Sequence, residues 1–439
     1  MFGTDGIRSR VGTGLITPEN LVHLGSAIGY TLANNLKNGK SKTVLIAKDT
    51  RVSGYMIESA LEAGLSFIGT DILLVGPLPT AALAILTQAT GADFGIMISA
   101  SHNPYHDNGI KIFDGSGNKI SEEIEEQISK NFKERPYLKQ EISELGKAQR
   151  LAHAATRYMT HCTTKLPRGK PLQGLNIVLD CANGAGYNIA PIILQDLGAK
   201  VIVIHAQPDG YNINTNCGST DLKSLIAATK EHNADCGLAL DGDADRAMLV
   251  DKDGRIYDGD DILYILATNP LTKASDGVVG TTMSNSGLAV ALAKKNISFY
   301  RTKVGDRFVA NEMNQRQWLL GGEPSGHIIY AGHSETGDGI FAGIMVMHTL
   351  LKTKKTLAEL TKEFIKWPQT QINIPATNIN QAIKPEWDDL IERYQQKTNA
   401  RIILRASGTE PCIRLMVEAM DKENVTILCQ KIAKEITTN

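Results

Sequence analysis

Three times along this chain a short apolar stretch runs straight into a polar, turn-rich loop. Residues 94–99 lead into Ala100-Ser101-His102-Asn103-Pro104, residues 236–240 into Asp241-Gly242-Asp243-Ala244-Asp245-Arg246, and residues 318–320 into Gly321-Gly322-Glu323. Apolar runs of this length, bounded by turn residues, read as buried strands. Helical periodicity fills the intervals, and alternation of strand and helix predicts mostly parallel sheets covered by helices on both faces. In open α/β sheets the loops beyond the carboxyl ends of strands are where ligands bind. The chain is therefore expected to carry its chemistry on a few loops, each displayed by a repeated α/β unit.

The first cycle opens with Thr17-Pro18-Glu19, an N-cap followed by proline in the first helical turn, and a helix to about residue 36. Strands follow at 43–47, 71–75 and 94–99, with helices at 54–68 and 79–90, and residues 121–147 read as a surface helix and a less regular connection. The second cycle has strands at 175–180, 201–205 and 236–240, and the third at 278–282, 297–300 and 318–320. After each polar loop comes a similar return: residues 112–120 around Asp114-Gly115-Ser116-Gly117, residues 249–256 around Asp253-Gly254, and Ile328-Ile329-Tyr330 before Gly337-Asp338-Gly339. Such a faint repeat suits three related units. The last segment differs, with strands at 371–376, 401–405 and 413–418, a helix at 385–397 and another after Asn424, an order that suits a small α+β domain.

Composition narrows the function. A chain of 439 residues is long enough for about three domains at ~150 residues each. Forty-six basic and 47 acidic side chains leave a net charge of −1, which argues against a broad nucleic-acid or membrane footprint. No apolar run approaches the ~18 residues of a membrane span, and the start, Met1-Phe2-Gly3-Thr4-Asp5-Gly6-Ile7-Arg8, has no apolar stretch of a secretory leader. The six cysteines are scattered without C-x-x-C spacing, so buried thiols in a reduced, cytoplasmic protein are expected.

Four loops hold chemistry-bearing residues. Ser101, at a strand end beside His102 and with Lys111 downstream, suits a nucleophile or phosphoryl carrier, although an ordinary Ser/Asn/Pro turn has the same composition. It lacks the glycine elbow of an acyl-transfer serine. Asp241, Asp243 and Asp245 alternate in one short loop and repel one another unless a cation sits between them. Oxygen ligands suit Mg²⁺ or Ca²⁺, and Arg246 and Lys252 at the sixth and twelfth positions exclude an EF-hand. Glu323 and Ser325, among glycines and next to His327, offer an acceptor and a donor for hydroxyl groups, or else form a tight surface turn. Arg405, Ser407, Gly408, Thr409 and Arg414 would make a phosphate cradle or a plain hairpin turn. A metal, a phosphorylatable serine, a polyol reader and a phosphate clamp make sense together for phosphoryl transfer on a sugar phosphate.

The five segments 2–8, 99–104, 241–246, 321–327 and 405–411, in this order from end to end, resemble the α-D-phosphohexomutase superfamily. Residues 2–8, 48–54 and 303–307 look most like its bacterial phosphoglucosamine mutase branch. Ser9 and Pro324 depart from the pattern, standing where glycine and glutamine are usual. The resemblance implies three similar mixed α/β domains with helices on both sheet faces (1–150, 151–255 and 256–367) and a small C-terminal α+β domain (368–439). It implies a heart-shaped arrangement of the four around a central cleft, and interconversion of glucosamine 6-phosphate and glucosamine 1-phosphate. Ser101 would be the phosphoserine, primed by a sugar 1,6-bisphosphate that is also the intermediate. One Mg²⁺ would sit on Asp241, Asp243, Asp245 and the phosphoserine. Arg8, His102, Lys111 and Arg246 would stabilise the transferring phosphate, Lys111 also moving a proton. Glu323, Ser325 and His327 would read the sugar, Lys303 and Gly305 would line the entrance, and Arg405, Ser407, Gly408, Thr409 and Arg414 would hold the distal phosphate. The expected partner is a small sugar phosphate, with neither nucleic acid nor membrane, and a homodimer is left open. Phosphomannomutase or phosphoglucomutase activity, a phosphatase with Asp241 as nucleophile, and a non-catalytic sugar-phosphate binder remain as alternatives.

Overall fold

The computed structural model describes residues 1–3, 5–35, 42–139, 144–269, 272, 276–375, 385–406 and 412–438. Four sheets follow one another along it. The first three share a four-stranded unit. In the first, Lys42–Lys48 is flanked by parallel Thr70–Pro77 and Phe94–Ile98, and Asp107–Asp114 returns antiparallel beside Phe94–Ile98. In the second, Asn176–Asp180 lies between Lys200–Ile204 and Cys236–Leu240, with Ala247–Asp251 returning. In the third, Gly277–Thr281 lies between Ser298–Thr302 and Leu320–Gly322, with Ile328–Tyr330 returning. The polar loops singled out in the sequence are the three connections between the third parallel strand and its antiparallel return. Each unit therefore displays one such loop at the same topological position.

Alternation along the strands divides the packing. Val44, Ile46, Ile96 and Ile98 face a core built with Leu21, Leu24, Ile57 and Leu61 of helices Pro18–Asn35 and Ser53–Phe67. Leu45, Ala47 and Met97 face the other way, onto helix Thr80–Thr90. That second core continues through Leu179, Leu238 and Leu240 of the second sheet to Val278 and Leu320 of the third. The three α/β units thus share one continuous hydrophobic interior. The fourth sheet, with Cys412–Glu418 antiparallel between Gln369–Pro375 and Arg401–Ala406, has its own core of Leu415, Val417, Ile402 and Ile432. It meets the third unit through a polar contact: Arg401 donates to the carbonyls of Thr282 and Ser284 at 2.6 and 2.9 Å, and Glu418 accepts the Ser286 N–H at 3.2 Å.

Differences from the sequence reading have local causes. The strand expected at 318–320 is Leu320–Gly322. A Cβ on Gly321 would meet Met313 Sδ at 2.5 Å, so close packing of helix Asp306–Arg316 requires glycine in a strand that its composition disguises. Edge strands at Ile7–Arg10 and Ala148–Arg150 were not expected, because both are short and polar. None of the six cysteines is in a disulfide, and all but the half-buried Cys412 are buried. No helix among the described residues is long and apolar enough to cross a membrane.

Candidate active site

Ser101 follows strand Phe94–Ile98 in a left-handed conformation, φ 52°, which turns its side chain toward the second unit. The Ser101 hydroxyl donates to Asp241 Oδ2 at 2.5 Å, joining the first loop to the second. The approach depends on glycine: a Cβ on Gly242 would stand 2.4 Å from the Ser101 carbonyl oxygen. His102 Nδ1 lies 3.5 Å from Ser101 Oγ. Burial, with Arg246 and Arg8 nearby, pushes His102 down to about 4, so at neutral pH it brings a hydrogen-bonding nitrogen and no charge.

The Asp241, Asp243 and Asp245 side chains are all buried, and their ligand oxygens lie within 4.8 Å of one another. Burial and the two neighbouring carboxylates hold Asp241 well above the usual carboxylate range. Burial also opposes the charge on Asp245, but Lys111, His327 and Arg246 outweigh it and hold that carboxyl well below its ordinary value. Lys111 Nζ bridges Asp243 Oδ2 at 2.8 Å and Asp245 Oδ2 at 3.0 Å. Although burial disfavours its charge, Asp243, Asp245 and Asp5 keep it an ammonium, well above the ordinary lysine value. Thr80 donates to Asp243 Oδ2 at 2.6 Å. Asp243 Oδ1 and Asp245 Oδ1 are buried without a hydrogen-bond partner. Two orphaned anionic oxygens beside Asp241 and a serine hydroxyl fit an oxygen-ligated divalent cation. Two further groups bring Cys, His and Asp together, Cys162/His333/Asp338 and Asp180/His205/Cys217. Their carboxylates already accept protein donors: Asp338 from Tyr158 and the Phe341 N–H, Asp180 from the Ala182 and Gly218 N–H groups.

The third loop is welded to the second. Arg246 and His327 form an isolated antiparallel bridge, and the Ala247 N–H donates to the Gly326 carbonyl at 3.0 Å. His327 Nδ1 stands 3.6 Å from Asp245 Oδ2, while Arg246 Nε, buried and without a hydrogen bond, lies 3.9 Å from both Asp241 and Asp245. Arg8 donates to the Ala100 carbonyl at 3.4 Å and pairs with Asp5. Glu323 Oε1 accepts the Gly305 N–H at 3.0 Å, and burial raises its carboxyl. Ser325 and Lys303 are exposed at this rim. On the fourth sheet Arg405 and Arg414 sit directly opposite on adjacent strands. Like charges in that position repel unless an anion lies between them. Burial and Arg414 lower the Arg405 guanidinium, and Glu323 opposes that shift from across the cleft. Ser407, Gly408 and Thr409 lie outside the described residues.

The sequence reading missed the residues that hold Ser101 in place. Arg51, fully buried, pairs with Asp49 and donates to the carbonyls of Ser101 at 3.1 Å and Asn103 at 2.5 Å. Ser99 Oγ donates to Asp49 Oδ2 at 2.6 Å and accepts the Ser101 N–H at 2.9 Å. Asn214, from the second unit, donates to the same two carbonyls at 2.9 and 3.0 Å. The signal for this support was the polar run Lys48-Asp49-Thr50-Arg51 following an apolar strand, within the 48–54 segment that carries the family resemblance without showing what those residues hold.

Comparison with known proteins agrees with this arrangement. Residues 1–138, 156–254 and 258–367 match the phosphoglucomutase/phosphomannomutase α/β/α domains I, II and III, and residues 388–435 match the C-terminal domain of that family. The chain is 47% identical over 439 residues to a phosphoglucosamine mutase of Pseudomonas putida, covering 99% of this chain and 97% of that protein. It is likewise 47% identical over 441 residues to a phosphoglucosamine mutase of Coxiella burnetii, covering 99% and 98%. A phosphoglucomutase/phosphomannomutase family protein from Burkholderia thailandensis has the same fold, with a TM-score of 0.81 at 22% identity over 99% of this chain and 98% of its own. The chain belongs to the α-D-phosphohexomutase superfamily, on its phosphoglucosamine mutase branch.

Proposed function

We infer that the protein is an isomerase that interconverts glucosamine 6-phosphate and glucosamine 1-phosphate. The observation that carries the mechanism is the 2.5 Å contact of Ser101 Oγ with Asp241, at a cluster of three buried carboxylates. Ser101 is read as the phosphoserine. Its O–P bond breaks as a sugar hydroxyl oxygen bonds to phosphorus, giving a bound sugar 1,6-bisphosphate. After the sugar reorients, the other phosphoryl group returns to Ser101 Oγ. Lys111, held as an ammonium, is assigned the proton transfer: it gives its proton to the departing Ser101 Oγ and takes the sugar hydroxyl's proton in exchange, so that no net proton is gained or lost. Arg8 and Arg246 supply charge to the transferring group, and His102 a hydrogen bond. Glu323, Ser325 and His327 are assigned to the sugar, Lys303 and Gly305 to the entrance, and Arg405, Ser407, Gly408, Thr409 and Arg414 to the distal phosphate. Reading hydroxyls on one domain while clamping phosphate on another tolerates both orientations. The separate core of the fourth sheet suits closure over the bisphosphate, which would limit its escape to water.

Asp241, Asp243, Asp245 and Ser101 would hold one Mg²⁺, which when bound neutralises charge on the phosphoryl group. Removing divalent cations is expected to abolish turnover, and returning Mg²⁺ to restore it. Independently of activity, Mg²⁺ at ~100 times its Kd should stabilise the protein by about 2.7 kcal/mol, read as a rise in Tm. No shift with Mg²⁺ would remove the metal from this loop.

The amino-sugar assignment is tested by comparing kcat/KM for the 6-phosphates of glucosamine, glucose and mannose in a coupled assay. Glucosamine 6-phosphate is expected to be preferred by at least about tenfold, roughly the 1.4 kcal/mol that one good hydrogen bond supplies. Preference for glucose or mannose 6-phosphate would move the protein to another branch, and Pro324 would then be the first position to examine. We place the domain limits at 1–150, 151–255, 256–367 and 368–439, the protein in the cytoplasm, and leave a homodimer as a further proposal to be measured by light scattering.

A further inference from the structure

Between the phosphoserine unit and the sugar-reading unit lie three charged residues that the mechanism above does not use, Asp5, Lys119 and Asp306, and they are joined to three that it does. Lys119 follows the return strand of the first unit, and Asp306 opens helix Asp306–Arg316 of the third. Lys119 Nζ lies 2.6 Å from Asp306 Oδ2 and also pairs with Asp5. Asp5 in turn lies 3.4 Å from Lys111 Nζ, and Lys111 reaches Asp245 at 3.0 Å. On the far side His327 stands between Asp245 and Asp306, with one ring nitrogen 3.6 Å from each. The contacts close into a ring: Lys111, Asp245, His327, Asp306, Lys119, Asp5 and back to Lys111. Lys119 and Asp306 are mostly buried, with side chains 8% and 11% exposed.

The next residue, Arg307, pairs with Glu125 of the first unit through both terminal nitrogens, one of them at 3.1 Å. Two adjacent side chains of the third unit, one acidic and one basic, therefore grip the first unit through opposite partners. The turn they fix is the one whose Gly305 N–H holds Glu323 Oε1 at 3.0 Å. The Lys119–Asp306 pair thus joins the turn that holds Glu323 to the unit that carries Ser101.

We propose that Lys119 and Asp306 are positioning residues, an interdomain clasp that sets the sugar-reading loop in register with the Ser101 loop for phosphoryl transfer. The proposal rests on the assignment of Glu323 as a sugar reader. A loosened clasp leaves the binding groups present and misaligns them, and misplacement of about 1 Å can slow such a reaction by about 100-fold. The loss falls on kcat, because each half of the site still binds its part of the substrate.

The test uses Lys119→Met, Lys119→Arg, Asp306→Asn and the double variant Lys119→Met/Asp306→Asn. Lys119→Met is expected to lower kcat by about 100-fold with KM changed less than about threefold. It should also raise the sugar bisphosphate released per turnover. Lys119→Arg should regain most of the rate, a rescue that a general loss of packing would not give. The double variant should lose less than the product of the two single losses, because the two side chains share the contact that each single change removes. Hydrogen exchange needs no substrate: peptides spanning residues 303–308 should exchange faster in Lys119→Met than in wild type. Unchanged kcat, a loss carried by KM, losses that multiply in the double variant, or unchanged exchange at 303–308 would each overturn the clasp. Wild-type protein that fails to interconvert glucosamine phosphates would instead refute the assigned activity, and the exchange result would still decide the clasp.

Discussion

Ser101→Ala is expected to abolish interconversion, lowering kcat by at least about a thousandfold while the protein still folds and binds sugar phosphate. The side chain is small, and its one strong contact is the hydroxyl given to Asp241, so stability should fall by only about 1–3 kcal/mol, the cost of leaving that buried carboxyl oxygen without its donor. Among the described residues, the hydroxyls hydrogen-bonded to the three carboxylates are those of Ser101 and Thr80, and that of Thr80 is committed to Asp243. Loss of a covalent carrier removes a whole pathway and not one contact within it. Intact-mass analysis after incubation with sugar 1,6-bisphosphate should find one added phosphate on wild type and none on the variant. The same experiment separates the two enzyme classes that the sequence allows. Phosphate on Asp241, or residual turnover within about tenfold of wild type, would favour an aspartate nucleophile and hydrolysis.

The contrast between Ser101 and its support shows what a sequence makes legible. The alternating carboxylates at 241, 243 and 245 stand out because such a loop is electrostatically costly without a purpose, and all three prove buried around one point. Strands of the interior were legible from apolar runs, since every residue of Phe94–Ile98 and Cys236–Leu240 is buried. The edge strand Ala148–Arg150, exposed throughout, carries no such signal. Arg51 was illegible for another reason. Its partners are Asp49 two residues away and backbone carbonyls about fifty residues away, and only the packed fold brings them together. The same holds for Asn214 and Asp306, which act across unit boundaries. Local pattern reveals groups whose own neighbours make them improbable; support between units appears only in three dimensions.

Arg51→Met is expected to destabilise the first unit by about 3–5 kcal/mol, the usual result of removing one partner of a buried ion pair. Both side chains of the pair are fully buried. At ~2–4 °C per kcal/mol, the transition that includes this unit should fall by roughly 10 °C in calorimetry. The deficit should depend on pH with a definite sign. Burial already raises Asp49 above its ordinary value of 3.8, with Arg51 and the Ser99 hydroxyl opposing. Without Arg51 that opposition weakens and the folded-state pKa rises further. A carboxyl that binds its proton more tightly when folded contributes stability at low pH and loses it as pH rises through the folded pKa. The gap between variant and wild type should therefore be wider at pH 8 than at pH 5. Turnover should fall as well, because the carbonyls of Ser101 and Asn103 lose one of the two side-chain donors they share among the described residues and keep Asn214. Neutralising the stranded partner separates charge from packing. Asp49→Asn combined with Arg51→Met should recover part of the lost stability, since replacing both ends of a buried pair costs less than stranding one. The double variant should still turn over slowly, because no methionine can hold the Ser101 carbonyl. Equal stability of the single and double variants would show that the packing of Arg51, and not its pairing with Asp49, maintains the loop.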